Sequence, residues 1–106
     1  MSADLGQLLE KAREAQARLQ ALQQELARRR VEGSAGGGMV TAVASGELRI
    51  LELRIEPALV ESGDRAMIQD LCAAAVNAAL ASAQRMIQEE MQRASATFTI
   101  PLRGPG

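Results

Sequence analysis

The sequence predicts an α+β fold, an αβββα protomer with a three-stranded antiparallel sheet between a long N-terminal helix and a long C-terminal helix. Three observations carry this. Residues 1–30 set Leu5, Ala12, Leu19 and Leu26 seven apart, with Leu8, Ala15 and Leu22 in a second seam, the spacing of a helix face. Residues 31–60 break that pattern with a triple glycine, a Ser-Gly-Glu turn and short alternating apolar runs, which leaves them as the sheet. Residues 61–94 return to an i, i+3, i+4 apolar stripe, a second helix.

At 106 residues the chain is one domain, spanning 1–106. It divides into a projecting helix (1–30), a sheet (31–60), a second helix (61–94) and a flexible tail (95–106). Phe98 is the only aromatic residue, so the core must be made of Leu, Ile, Val, Met and much Ala. Each small side chain buries little area, at roughly 25 cal/mol per Å², and added burial in an oligomer would help a chain this short. Net charge is −1, which excludes a histone-like polycation. Lys11 is the single lysine among twelve basic residues; a GC-rich genome explains the arginine bias, as does selection for forked phosphate contacts.

The first helix is rich in Gln, Glu, Arg and Lys between its apolar seams, all good helix formers. Leu9 broadens the stripe and Arg29 breaks the second seam. Asp4 is placed to cap the N-terminus with Gln7 three residues on, and Glu14 precedes Arg18 by four, the favourable order. About 27 helical residues reach ~40 Å, whereas a compact domain of this size has a radius of gyration of ~13 Å. The helix therefore projects into solvent or pairs with a second chain. Arg28, Arg29 and Arg30 close it, either compensating the helix dipole or meeting phosphate.

Residues 31–35 form a short first strand, and Gly36-Gly37-Gly38 a turn. No Lys-Ser or Lys-Thr pair follows and the next segment is strand-like, so this is no phosphate-binding loop. Residues 39–44 put Val40, Ala42 and Ala44 on one face. Ser45-Gly46-Glu47 is the hairpin connection, with Gly46 expected to take the positive φ. Residues 48–55 follow, with Leu51, Leu53 and Ile55 on one face and Glu52 and Arg54 on the other. Pro57 lacks a donor N–H and ends the ladder. Such a sheet has one wet face and needs a helix on the other or a second sheet edge to join.

Ser62-Gly63-Asp64 reads as a turn and cap. The second helix carries Ile68, Leu71, Cys72, Ala75, Val76, Ala79, Ala83, Met86, Ile87 and Met91 as its stripe. Its centre is almost all small, which lets a neighbouring backbone approach closely, so this helix covers the sheet. Asn77 is either a polar interface contact or exposed. Cys72 lies on the stripe and is read as packing. From residue 95 onward the helix pattern is lost, and Pro101, Gly104, Pro105 and Gly106 suggest an extended, mobile end.

Histidine is absent and Cys72 is the only cysteine, which removes His-based catalysis, most zinc sites and any intrachain disulfide. Without aromatic platforms, single-strand binding by base stacking is not expected. No enzyme activity, catalytic residue, metal, cofactor or small-molecule substrate is expected. The first residues lack a signal peptide's apolar core, and no continuous apolar run approaches the ~20 residues of a membrane span. The expected place is the cytoplasm, with no membrane partner.

Several stretches in order carry a resemblance. Lys11-Ala12-Arg13-Glu14-Ala15-Gln16 lies in a Gln-rich first helix. A glycine-rich link leads to Gly38-Met39-Val40, then to Gly46. Ile55-Glu56-Pro57-Ala58-Leu59-Val60 precedes an Ala-rich, Asn-containing helix from Leu71 to Ala79. In this order and spacing the chain resembles the YbaB/EbfC family of bacterial nucleoid-associated proteins over nearly its whole length. Arg and Leu stand where that family often has Lys and Met, and Glu56 where it has Asp.

The resemblance implies a tweezer-like homodimer whose sheets and second helices form the body and whose long helices project. It implies binding of double-stranded DNA at the nucleoid and a role in nucleoid organisation and gene regulation. With a near-neutral chain, DNA contacts fall to local basic clusters: Lys11, Arg13, Arg18, Arg28, Arg29 and Arg30 on helix one, Arg85 and Arg93 on helix two. Leu51, Leu53, Ile55, Leu71, Ala75, Val76 and Ala79 are the candidate dimer interface. The alternative is a dimeric adaptor that binds a protein partner through the apolar seam from Leu5 to Leu26, without DNA.

Overall fold

The structure is a computed structural model that describes residues 2–97, with side chains for residues 4–96. Helix α1 (Ser2–Arg28) leads to strands β1 (Arg30–Ala35), β2 (Val40–Ser45) and β3 (Ile50–Ile55), a short helix α2 (Pro57–Ser62) and the long helix α3 (Arg65–Thr97). The sheet is antiparallel in the order β1-β2-β3, so the predicted αβββα order holds with one insertion. Pro57 does more than end β3: it opens α2 at its first turn, where a missing N–H costs nothing.

Other bounds move for local reasons. Helix α1 begins ahead of Asp4, which therefore lies inside its first turn, where a carboxylate meets the positive end of the dipole. Arg30 already belongs to β1, paired opposite Ser45. Asp64 caps α3 as predicted: its Oδ1 accepts the Met67 N–H at 3.1 Å. Helix α3 continues through Ser95 and Ala96 to Thr97, beyond the predicted end at 94. The rest of the predicted tail lies outside the described residues.

The two hairpins use their glycines differently. Gly36, Gly37 and Gly38 all take positive φ, at 65°, 67° and 94°, and close the β1–β2 turn in a conformation side chains disfavour. In the β2–β3 turn the positive φ falls on Leu48 (62°), not on Gly46 as the sequence reading expected. Gly46 is required for space instead, since a Cβ there would collide with the backbone carbonyl of Leu26.

Strand β3 is irregular. Ala44 pairs with Ile50 and Val43 with Glu52, which leaves Leu51 as the extra residue of a bulge. Ile55, Leu53 and Ile50 thus stand opposite Val40, Ala42 and Ala44, and Leu51 leaves the simple alternation predicted for it.

The core is small-residue packing. Val40, Ala42 and Ala44 of β2 meet Ala75, Ala79 and Ala83 of α3, with Leu59 of α2 alongside, all buried. Ile68, Leu71, Cys72 and Val76 pack around this cluster, and Met86 is buried further along the predicted stripe. The close approach read from the Ala-rich centre is made by Gly33 of β1: a Cβ there would lie 2.7 Å from the Ala79 Cα. Helix α3 lies over β1 and β2. It is long and apolar enough by length and composition to cross a membrane, although polar residues such as Asn77 and Gln84 interrupt any continuous apolar run. Its apolar character is largely alanine, and the face bearing Ala75, Ala79 and Ala83 is buried on the sheet.

Helix α1 stands away from this body. The molecule measures 74 × 30 × 15 Å with a radius of gyration of 21.1 Å, well above the ~13 Å of a compact domain of this size. Every side chain from Asp4 to Ala21 is exposed, and burial begins at Leu22 and is complete only at Leu26. The projection predicted from helix length is present.

Candidate nucleic-acid interface

The root of α1 is built from three elements. Helix α1 turns into β1 through Arg29, whose carbonyl accepts the Gly46 N–H at 3.2 Å. Ser45, opposite Arg30 in the ladder, donates its N–H to the Arg49 carbonyl at 2.9 Å. Helix α3 runs antiparallel to β1, so its later turns reach the same end, where Arg29 and Glu90 form an ion pair of 3.2 Å. Arg28, Arg29, Arg30, Arg49, Arg85 and Arg93 thereby gather at one end of the body, and all are exposed.

Acids there hold part of that charge. Oε2 of Glu90 takes both Arg29 and Arg93, the latter at 2.6 Å. Arg28, Arg30, Arg49 and Arg85 make no ion pair among the described residues. Arg85 lines an open cleft between α3 and the Leu48 turn. At the opposite end of the body lie Glu56, Glu61, Asp64, Asp70 and Arg65, all exposed; Arg54, which lines a cleft with Glu56, is held on the sheet by Glu32 and Glu52, each at 3.1 Å.

The predicted basic residues therefore fall into two sets. Arg28, Arg29, Arg30, Arg85 and Arg93 are brought together by the fold. Lys11, Arg13 and Arg18 are strung along the exposed arm. Lys11 and Arg18, seven apart, share one side of the helix and Arg13 lies on the other. Asp4, Glu10, Glu14 and Glu25 balance them, so the arm is not a positive rod by itself. Arg49 was missed by sequence reasoning because it read as an ordinary strand residue. The signal was its place just after the hairpin turn, which brings it back beside Ser45, whose other neighbour across the sheet is Arg30.

Among the interface candidates, Leu51 and Leu53 are exposed at 48% and 41%. Ile55, Leu71 and Val76 are half-buried around the core. Ala75 and Ala79 are corrected from that role: both are fully buried in their own protomer against the sheet, so neither has surface left for a second chain. Asn77 is exposed.

Residues 1–98 match the model of the YbaB/EbfC DNA-binding family. A nucleoid-associated protein of Caldanaerobacter subterraneus subsp. tengcongensis is 38% identical over 98 residues, 92% of this chain and 88% of that protein. Another from Pelotomaculum thermopropionicum is 39% identical over 101 residues, 95% and 96% of the two chains. One from Chlorobaculum tepidum is 40% identical over 98 residues, 92% and 86%. The crystal structure of an uncharacterised protein from Helicobacter pylori superposes with a TM-score of 0.57 at 20% identity, covering 79% of this chain and 94% of that one; it supports the fold alone.

Proposed function

The chain belongs to the YbaB/EbfC DNA-binding family, and from that premise we propose that it binds double-stranded DNA as a homodimer at the bacterial nucleoid, through phosphate contacts rather than base readout. Its relatives are named nucleoid-associated proteins, which supports this reading, and the proposal includes a role in nucleoid organisation and gene regulation. The observation that carries the phosphate reading is the convergence of Arg28, Arg29, Arg30, Arg49, Arg85 and Arg93 at the root of the projecting helix. Forked guanidinium groups suit phosphate oxygens, and the described residues include no aromatic side chain on which an exposed base could stack.

Each phosphate neutralised adds ~0.9 to the slope of log affinity against log salt. With a chain charge of −1 and Glu90 holding two arginines, the slope should be moderate. The test is a mobility-shift titration on a random duplex of about 50 bp, near five helical turns, at two salt concentrations, with light scattering on the same sample. A salt-sensitive shift by a particle of twice the chain mass supports the reading. No shift at low salt by an intact dimer discards DNA binding.

One observation favours a second reading. Leu5, Leu8, Leu9 and Leu19 are exposed along α1, so an adaptor that docks a protein on this seam would use surface that is present. Such docking is apolar and survives moderate salt, whereas phosphate binding fades.

A further inference from the structure

Helix α3 climbs beside the arm. Glu90 pairs with Arg29 at 3.2 Å, and Ile87 and Met91 share an open cleft with Gln23, Leu26, Ala27 and Gly46. Ala94 continues the same stripe three residues after Met91, and all three side chains are half-buried. From Met91 to Thr97, its last described residue, α3 rises a further ~9 Å at 1.5 Å per residue. An equal climb along α1 from Gln23 passes Leu22 and Leu19. The chain thus leaves α3 at the level where the apolar seam of α1 loses its cover: Leu26 is 4% exposed, Leu22 half-buried and Leu19 43% exposed.

Residues 98–106 continue from that point. Their pattern is that of an apolar strip. Phe98, Ile100 and Leu102 alternate with Thr99 and Pro101, and alternate side chains of an extended segment share one face. Pro101 disfavours helix at Ile100. An extended segment from Phe98 to Leu102 spans ~13 Å, close to the ~10 Å between Leu22 and Ala15 along the seam. Ala15 and Ala12, beyond Leu19 on that seam, leave a shallow in which a bulky side chain fits.

Proximity decides between this strip and a second chain. A segment joined directly to α3 meets the seam at an effective concentration on the order of mM, above that of any separate molecule in dilute solution. We propose that residues 98–102 cross from the end of α3 to the arm of the same chain and lay Phe98 and Ile100 on the seam at Leu19 and Leu22, as a strap between the two helices. The lower half of the seam is then closed to a protein partner. An adaptor role would retain only Leu5, Leu8 and Leu9 near the far end.

The chain holds no tryptophan, so Phe98→Trp introduces a single reporter. Its emission in the native chain should lie at shorter wavelength than in urea, with weaker quenching by acrylamide. Adding Leu19→Asp should return the emission most of the way to its position in urea. Adding Gln20→Asp instead should leave it in place, since Gln20 is exposed at the same level but well round the helix from the seam. Circular dichroism checks that each variant keeps its helices. Native emission that matches the value in urea overturns the strap, and so does a shift that Leu19→Asp leaves unaltered.

A second measurement asks whose seam is covered. Leu19→Cys with Ile100→Cys in a Cys72→Ala background, mildly oxidised, should lose its free thiols in a band of single-chain mass on a non-reducing gel. Gln20→Cys in place of Leu19→Cys should react much more slowly. Equal rates overturn the strap. A band of twice the chain mass assigns the seam to a second copy and overturns it as well.

Discussion

Arg29 and Glu90 join the root of the arm to the later turns of α3 across 3.2 Å, and the same carboxylate oxygen also holds Arg93. One acid is thus shared by two of the basic side chains that converge there, and its single charge offsets half of theirs. Glu90→Gln should release both. DNA affinity at low salt is expected to rise about two- to fivefold, and the salt slope to steepen by up to ~0.9 for each phosphate newly met. Stability should fall by less than about 1 kcal/mol, because both arginines are largely exposed and such pairs contribute little. Unchanged affinity in a mobility-shift titration would remove Arg29 and Arg93 from the DNA surface.

Replacing Arg28, Arg29 and Arg30 together by Ala makes the converse test. Affinity should drop by a similar factor on unrelated duplex sequences, since phosphate contacts position without reading bases. The salt slope should become shallower, and the mass by light scattering should stay that of the wild type. A loss confined to some sequences would point to base readout instead.

Two glycines hold backbones in contact and should tolerate no side chain. At Gly33 a Cβ would press on the backbone of α3 at Ala78 and Ala79, and at Gly46 on the Leu26 carbonyl. Gly33→Ala must lift α3 off β1 and should cost about 1–3 kcal/mol or more by urea denaturation. Gly46→Ala should cost a similar amount and also change the hydrodynamic radius, because the element it displaces is the arm. An ordinary response at Gly46, with both stability and radius unchanged, would mean that the root of α1 adapts.

Helix α1 offers a controlled pair. Leu26 is 4% exposed and Leu8 is 63% exposed on the same helix. Leu26→Ala should destabilise by about 2–4 kcal/mol, while Leu8→Ala should stay within about 0.5 kcal/mol. A large loss at Leu8→Ala in equilibrium denaturation would show that its seam is covered in solution, which favours the adaptor reading or a helix pair.

Much of this was legible from residue patterns. The seven-residue recurrence from Leu5 to Leu26 marked a helix too long for the body, and the Ala-rich centre of α3 marked a close backbone neighbour, found as Gly33. Those features are periodic or compositional, and such signals are local. What escaped depends on contacts between distant segments. Gly46 looked like a conformational glycine, yet it serves to clear Leu26, and the left-handed residue is Leu48. The bulge at Leu51 is a property of pairing with Val43 and Ala44, invisible in β3 alone. Ala75 and Ala79 looked available for a dimer because one stripe cannot reveal which of two neighbours covers it. Arg49 joined the basic end only once the hairpin returned it beside Ser45, the residue paired with Arg30.

The attachment of α1 has a mechanical consequence. A rod of ~40 Å held only by its final turns is a lever with its pivot at Leu26 and Gly46. A rotation of ~10° there sweeps the far end through ~7 Å, about the width of the DNA minor groove. In the homodimer proposed above, the gap between the two tips would be set at the pivots, tens of ångströms from any duplex between them. Substitutions at the pivot would retune the span, and substitutions along the shaft would alter only what it touches.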